Sequence, residues 1–122
     1  MKRILSTVHQ SLSILTLIVV IVEFFFAGMG VFHATSFQIH RVTGVLLLVS
    51  SALLLLLASV RRTGGKTIGL SALLFVLMFV QPLILQIHQP FVKALHPVNG
   101  LAILAISAYL VLLGTIRGKE QV

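Results

Sequence analysis

The sequence HRVTG at residues 40–44 and its counterpart HPVNG at residues 96–100 each stand at the start of a long apolar run. Each segment begins with a histidine and has a glycine four residues later. On an α-helix, residues i and i+4 lie on one face, about 6 Å apart along the axis. Each segment therefore predicts a helix that presents an imidazole with an empty space one turn further along, at Gly44 and Gly100.

The composition is that of a membrane protein. Of the 122 residues, 58% are hydrophobic and only 9% are charged, and the mean hydropathy is +1.15. Soluble domains are nearer a quarter charged. Cysteine is absent, so disulfides, thiolate metal sites and covalent cofactor attachment through Cys-x-x-Cys-His are excluded.

Four apolar runs are each close to the ~20 residues that cross a hydrocarbon core of about 30 Å. They cover roughly residues 12–32, 40–60, 67–86 and 96–116, and a loop at 87–95 precedes the last. The first run follows a basic start, but it is too long for a signal peptide and no small-residue cleavage site follows. We expect an all-α integral membrane protein, with one domain over residues 1–122 that forms a bundle of four transmembrane helices.

The basic residues predict the orientation of this bundle. Only Arg41 and Lys93 lie at one end of the spans, and seven lie at the other: Lys2, Arg3, Arg61, Arg62, Lys66, Arg117 and Lys119. The positive-inside rule then predicts a multi-pass protein of the cytoplasmic membrane, with both termini in the cytoplasm. Four histidines share the predicted outer face, namely His33, His40, His88 and His96. No nucleic-acid partner is expected, because the cations mark helix ends and are not interleaved with aromatic residues.

A shift of 56 positions aligns the two halves of the chain. It places His40 on His96 and Gly44 on Gly100. These residue types are rarer here than leucine, so the matches indicate a duplicated helical hairpin, covering approximately residues 1–62 and 63–118. The second and fourth helices then run in the same direction, and in a four-helix bundle with short loops they lie diagonally opposite each other.

Two imidazoles at one depth on facing helices predict a haem that is held noncovalently. His40 and His96 would be the axial ligands of the iron, while Gly44 and Gly100 would let the porphyrin edge approach the backbone. The alternative is that both histidines only hydrogen-bond to lipid headgroups or loop carbonyls. That suits one such residue better than two at repeat-equivalent positions. One haem b per chain is expected, since the sequence places a single histidine, His9, toward the inner end of the spans.

Further residues at the outer end have two interpretations each. Gly28 and Gly30 of the first span would either admit the macrocycle edge or serve ordinary small-residue helix packing. Arg41 and Lys93 are candidate partners of the haem propionates, and solvated charges are the alternative. For the loop residues His33 and His88, the favoured interpretation is ordinary loop histidines, and the alternatives are a second metal pair and propionate contacts.

Glu23 is the one acid inside a span. We expect it to be protonated in hydrocarbon and to lie deeper than the iron. Gln81, at comparable depth on the third helix, is the expected hydrogen-bond partner. A structural role and a proton-handling role both stay open for Glu23. Pro82 is expected to kink the third helix.

In its helix plan and its His-Arg-x-x-Gly segment at residues 40–44, the chain resembles one half of a haem A synthase, and also the small four-helix b-type cytochromes of membranes. The synthases contain two four-helix bundles, with haem ligated by histidines of the second and fourth helix in each. The resemblance therefore implies the same ligand positions here. HPVNG is also similar to a segment of an uncharacterised family of small bacterial four-helix membrane proteins, which implies no activity. Phe37 replaces a glutamate of the synthases, and only one bundle is present. Both departures count against synthase chemistry.

Together these features predict a cytochrome b-like protein that transfers electrons or senses or carries haem. Two nitrogen ligands saturate the iron, which favours electron transport over oxygen activation. Whether the protein is an enzyme stays open: a non-enzymatic role is favoured, and a component of an oxidoreductase is the alternative. The candidate partners are the lipid bilayer, a redox protein or quinone, and a second copy of the chain. The rival hypothesis is a haem-free transporter-like or structural subunit whose outer histidines bind a divalent metal or sense pH.

Overall fold

The computed structural model describes residues 1–61 and 64–119, apart from the side chains of Lys2 and residues 117–119. Four long helices and one single-turn helix make up this part of the chain: α1 (Lys2–Val31), α2 (Gln38–Val60), α3 (Gly65–Gln86), α4 (Pro90–Lys93) and α5 (Leu95–Lys119). The four long helices are all long and apolar enough to cross a membrane. The described part of the chain is therefore all-helical, and its four long helices have the length and composition of the spans of a multi-pass membrane protein.

The four predicted spans are confirmed as helices, with differences at their ends. The first helix begins at Lys2 rather than near residue 12. Its polar first turns stay helical because their side chains contact the neighbouring helices, as Ser6 and Gln10 do. The predicted loop at residues 87–95 contains α4. Pro90 begins this turn, where its missing N–H leaves no helical hydrogen bond unmade. The junction between the predicted hairpins, at residues 62–63, lies outside the described residues. So do the side chains of Arg117 and Lys119 that entered the orientation argument.

Each long helix packs against two others, in the cyclic order α1, α2, α3, α5. Hydrogen bonds between opposite ends of the chain segments show that neighbours are antiparallel. Arg61 at the end of α2 donates from Nη2 to Oγ of Ser6 at the start of α1, at 2.9 Å. Gln10 of α1 donates from Nε2 to the carbonyl of Val111 near the end of α5, at 3.1 Å. Helices α2 and α5 therefore lie diagonally across the bundle, as do α1 and α3.

Apart from Ile84 of α3, the buried positions at the core of the bundle recur along each long helix at alternating spacings of four and three residues. They are His9, Ser13, Thr16, Val20 and Glu23 on α1; Leu47, Ser51, Leu54 and Ala58 on α2; Thr67, Ser71, Leu74 and Met78 on α3; Ile103, Ser107 and Leu110 on α5. This is the heptad spacing with which side chains of neighbouring helices interlock in a bundle. Continued by one or two steps, the same spacing reaches the segments at residues 40–44 and 96–100.

The middle of the bundle is packed through small hydroxyl side chains. Thr16 Oγ1 and Ser50 Oγ hydrogen-bond between α1 and α2 at 2.9 Å. Ser13 Oγ donates to the carbonyl of His9 within its own helix at 2.8 Å, as Ser51 Oγ does to that of Leu48 at 2.7 Å. Small residues let apolar helices approach closely, where dispersion forces hold them together. The tight middle contrasts with the end of the bundle that carries His40 and His96, which we call the histidine end.

Candidate functional site

A cavity of about 410 Å³ lies at the histidine end and is lined by all four long helices. Its lining nearest the packed core is apolar and consists of Val20, Leu47, Met78 and Ile103. One helical step further out, α2 and α5 have Gly44 and Gly100, and both line the cavity. The space exists because these two positions contribute no side chain to a layer of the bundle core.

His40 and His96 approach each other across this cavity from the diagonal helices α2 and α5. Their ring centroids are 6.2 Å apart and their planes make an angle of 73°. Both side chains are half-buried. The structure thus brings together the two histidines of the duplicated motif, together with their glycines.

Glu23 of α1 contacts the imidazole of His40 at Nδ1. Its Oε2 contacts Nδ1 of His40, and Glu23 is only 8% exposed. Its second oxygen, Oε1, is buried and makes no hydrogen bond to the described residues. When a carboxylate accepts the Nδ1 proton of a histidine, the lone pair of Nε2 is left for a ligand. This is the arrangement that orients histidines that bind metals.

The expectation that Glu23 lies below the site and pairs with Gln81 is wrong. Glu23 and Gln81 lie on α1 and α3, which are diagonal and do not pack against each other. Each of these helices instead neighbours both histidine-bearing helices. Glu23 therefore reaches His40, and Gln81 reaches His96.

Gln81 of α3 holds His96 at several points. Its side-chain Nε2 donates to the carbonyl of His96 at 3.0 Å and lies 3.3 Å from the ring Nε2. Its own backbone carbonyl lies 3.1 Å from Nδ1 of the ring. Asn99 donates to Oε1 of Gln81 and, at 2.9 Å, to the carbonyl of Leu77.

These contacts fix the tautomer of His96. Because Oε1 of Gln81 accepts from Asn99, its Nε2 must be the group that faces the ring. A backbone carbonyl only accepts, so Nδ1 of His96 carries the proton and Nε2 has the lone pair. A ligand at Nε2 would replace the contact with the Gln81 amide. In both histidines Nδ1 contacts a protein oxygen, and Nε2 would be the coordinating atom, in His96 after displacing the Gln81 amide.

The donor set fits a haem iron. Two imidazoles that bind one metal ion from opposite sides, with metal–nitrogen distances of about 2 Å, have ring centres about 6 Å apart, close to the observed 6.2 Å. A haem supplies four ligands itself and needs only two from the protein. Zinc sites instead use three or four protein ligands. Among the described residues, no group of three or more His, Cys, Asp or Glu side chains is arranged to hold a metal ion.

Of the remaining predicted site residues, one lines the cavity and two do not. Arg41 lines the cavity and is exposed at its edge. Gly28 and Gly30 do not line it. The ring of Phe37 covers Gly30, where an added Cβ would lie 2.5 Å from a ring carbon. The same ring lies 6.3 Å from that of His40, so Gly30 and Phe37 support the site from outside the cavity.

The other histidines lie apart from the cavity. His33 and His88 are exposed residues of the two connections at this end, and Lys93 is exposed on α4. None of the three lines the cavity. His9 is buried at the opposite end of α1.

Sequence reasoning missed two residues of the site. Asn99 belongs to the HPVNG segment itself, three residues after His96 and so on the same helix face, a signal that was available. Phe24 packs over Gly100, where an added Cβ would lie 3.4 Å from a ring carbon. One phenylalanine among eight gives no sequence signal of such a contact.

A four-helix, multi-pass membrane bundle with two facing histidines in an apolar cavity is the class of protein that this fold and site define. The chain belongs to DUF6220, a family of unknown function, whose model matches residues 23–87. The matched segment contains Glu23, His40 and Gln81 and ends before His96. No curated protein and no solved structure is significantly similar to the chain.

Proposed function

We propose that this protein binds one haem b per chain in the cavity at the histidine end, with His40 and His96 as the axial ligands. The observation that carries the proposal is the facing pair of imidazoles, 6.2 Å apart, each with Nδ1 held by protein. The haem would supply a redox-active iron. The protein would then be a cytochrome b-like electron carrier or a haem sensor or carrier.

The surroundings of the two histidines suit this role. Apolar walls favour a macrocycle that is mostly hydrocarbon. Gly44 and Gly100 allow a flat group to approach the helix backbone. Two imidazole ligands leave no coordination position for oxygen, which favours electron transfer through a redox protein or quinone over oxygen activation.

The two hairpins support the site in a similar way, which favours the proposed duplication. Glu23 and Gln81 are 58 positions apart, and His40 and His96 are 56 apart. Each pair thus has a hydrogen-bonding side chain on the first helix of a hairpin and a histidine on the second. A buried acid in one half and its amide counterpart in the other would make the two axial ligands chemically unequal.

For the orientation, we propose that both termini lie in the cytoplasm and the haem site near the extracytoplasmic face of the cytoplasmic membrane. The basis is the sequence, in which seven of the nine lysines and arginines flank the ends of the spans opposite to the histidines, as the positive-inside rule describes for the cytoplasmic side.

The test is the visible absorption spectrum of the protein purified from haem-replete cells, with the haem content measured per chain. We expect about one haem per chain and, on reduction, the split bands of a low-spin bis-histidine haem. Protein that is colourless and takes up no added hemin would overturn the proposal. Binding of zinc alone by such a preparation would support the haem-free rival.

A further inference from the structure

The two sides of the cavity differ in how they are closed. Between α1 and α5, the ring of Phe24 covers Gly100, with two ring carbons 3.4 and 3.7 Å from an added Cβ. At Gly44 on α2, by contrast, an added Cβ would have no atom of the described residues within 4 Å. The residue after Gln81 on α3 is Pro82, whereas the residue after Glu23 on α1 is Phe24. Pro82, with its small pyrrolidine ring, therefore occupies in the second hairpin the position that Phe24 occupies in the first.

The lining between α2 and α3 also reaches the outer surface of the bundle. Val45 of α2 lines the cavity and is 62% exposed, and Leu85 of α3 lines it and is 47% exposed. Pro82 is exposed and lines it as well. At this depth, the surroundings of a membrane-spanning bundle are hydrocarbon rather than water. Phe24 on the α1–α5 side also lines the cavity and is 39% exposed. The α2–α3 side differs because no atom of the described residues lies within 4 Å of a Cβ added at Gly44, and this difference marks it as the opening toward lipid.

Arg41 lies at this opening, one residue after His40, and is itself exposed. Among the lysines and arginines that the structure describes, it alone lines the cavity. An arginine beside an apolar pocket pairs with a carboxylate of the ligand while the apolar part of the ligand enters the pocket. The opening is therefore built for an amphiphile that has a flat or thin apolar body and an anionic group.

We propose that the ligand of the cavity is an anionic amphiphile that enters from the bilayer, through an opening between α2 and α3 that Gly44 and Pro82 keep free, and that Arg41 pairs with its carboxylate. This inference rests on the proposed function, since haem is such an amphiphile. It adds the route of entry and the side of the bundle that selects the ligand. On the opposite side, the ring of Phe24 covers Gly100.

The experiment follows hemin uptake by the haem-free protein in vesicles whose lipid already contains hemin, recorded as the growth of the Soret band. Pro82→Phe and Val45→Phe each place a phenyl group in the opening from a different helix. We expect each to slow uptake about tenfold or more, because a blocked entrance lowers the association rate. Leu83→Phe and Val49→Phe are the matched controls. Both positions are exposed, at 41% and 53%, and neither lines the cavity, so uptake should keep the parental rate.

A second comparison tests Arg41 with hemin and hemin dimethyl ester, which lacks the free carboxylates. Arg41→Gln should weaken hemin binding about tenfold and leave binding of the ester unchanged, since a charge-assisted pair is lost only with the acid. Lys93→Gln, at the other cation of this end, is the control and should affect neither ligand. Equal effects of Arg41→Gln on both ligands would overturn the role of Arg41.

The outcomes distinguish the proposed lateral entrance from the proposed haem binding on which it rests. If the parent protein takes up no hemin, the proposed function fails. If the parent takes it up and the two blocking variants keep the rate of their controls, haem binding stands and the lateral entrance is wrong. Should Pro82→Phe fail to fold because the proline is replaced, Val45→Phe decides the question alone.

Discussion

Glu23 and His40 form the one contact in the described part of the chain between a carboxylate and a histidine. The acid is buried on α1, and the histidine faces the cavity from α2. Depth alone did not indicate this contact. In the proposed haem site, Glu23 would orient the imidazole of His40 and, by accepting the Nδ1 proton, would raise the electron density that the ring can give to a metal.

Replacing Glu23 should weaken haem binding without removing it. We expect Glu23→Leu to lower the affinity for hemin about 10–100-fold, the usual cost of losing a group that orients a metal ligand. Glu23→Gln should cost less, because the amide oxygen still accepts from Nδ1 of His40. Hemin titration of the haem-free protein in detergent measures both values. Equal affinities of Glu23→Leu and the parent would show that the contact does not support the ligand.

The two histidines should respond as a pair. His40→Ala and His96→Ala should each abolish the low-spin spectrum, because one axial ligand is lost and the iron becomes five-coordinate or leaves. His88→Ala is the control, since this histidine is exposed and lies outside the cavity. A low-spin spectrum that survives in either axial variant would mean that another residue ligates the iron.

The glycines of the two motifs should not be equivalent. Gly44→Leu adds a side chain to open space. We therefore expect lower haem occupancy, while the melting temperature of the haem-free protein stays unchanged. Gly100→Leu must displace the ring of Phe24, so both occupancy and melting temperature should fall. Haem content per chain and thermal unfolding in detergent check this difference. If both variants keep full haem, the glycines serve helix packing alone.

Sequence periodicity and charge were enough to predict the four long helices, because a membrane span needs little more than about 20 apolar residues. The diagonal placement of α2 and α5 followed from short connections alone. The partner of Glu23 did not follow, because it depends on which face α1 turns toward its neighbours. The long extension of α1 to Lys2 was equally hidden, since its contacts are polar and an apolar run cannot reveal them.

The side of the cavity that stays open was also beyond the sequence. The open side is the one where the residue at this helix position is Pro82 rather than Phe24. The sequence does not show that the ring of Phe24 lies over Gly100, and only this contact distinguishes the two sides. Asn99, by contrast, was within reach, because its spacing from His96 already placed both on one helix face.

The amide of Gln81 should stabilise the bundle as well as orient His96. It accepts from Asn99 and donates to the carbonyl of His96. Hydrogen bonds between membrane helices average about 0.6 kcal/mol and reach about 1.7 kcal/mol. We therefore expect Gln81→Leu to lower the free energy of unfolding by about 1–2 kcal/mol, measured by denaturant titration in mixed micelles. Leu83→Ala, at an exposed neighbour, should change it little.

Gly114 and Gln10 offer a test of packing at the opposite end of the bundle. Gln10 of α1 donates from Nε2 to the carbonyl of Val111 at 3.1 Å and to Oγ1 of Thr115 at 3.2 Å. A Cβ added at Gly114 would overlap the Oε1 atom of that amide. Gln10 would have to turn away and lose both hydrogen bonds. Gly69, at an exposed position of α3 with no atom within 4 Å of an added Cβ, is the matched control.

Replacing a helical glycine with alanine stabilises a helix by about 0.5–1 kcal/mol when nothing opposes it. Gly69→Ala should show this gain, whereas at Gly114 the loss of two interhelical hydrogen bonds, about 0.6 kcal/mol each, offsets it. We expect Gly114→Ala to be about 1 kcal/mol less stable than Gly69→Ala in denaturant titration. In a Gln10→Ala background the difference should disappear, because the clashing amide is gone. A difference that persists there would mean that Gly114 contacts the backbone of α1 rather than Gln10.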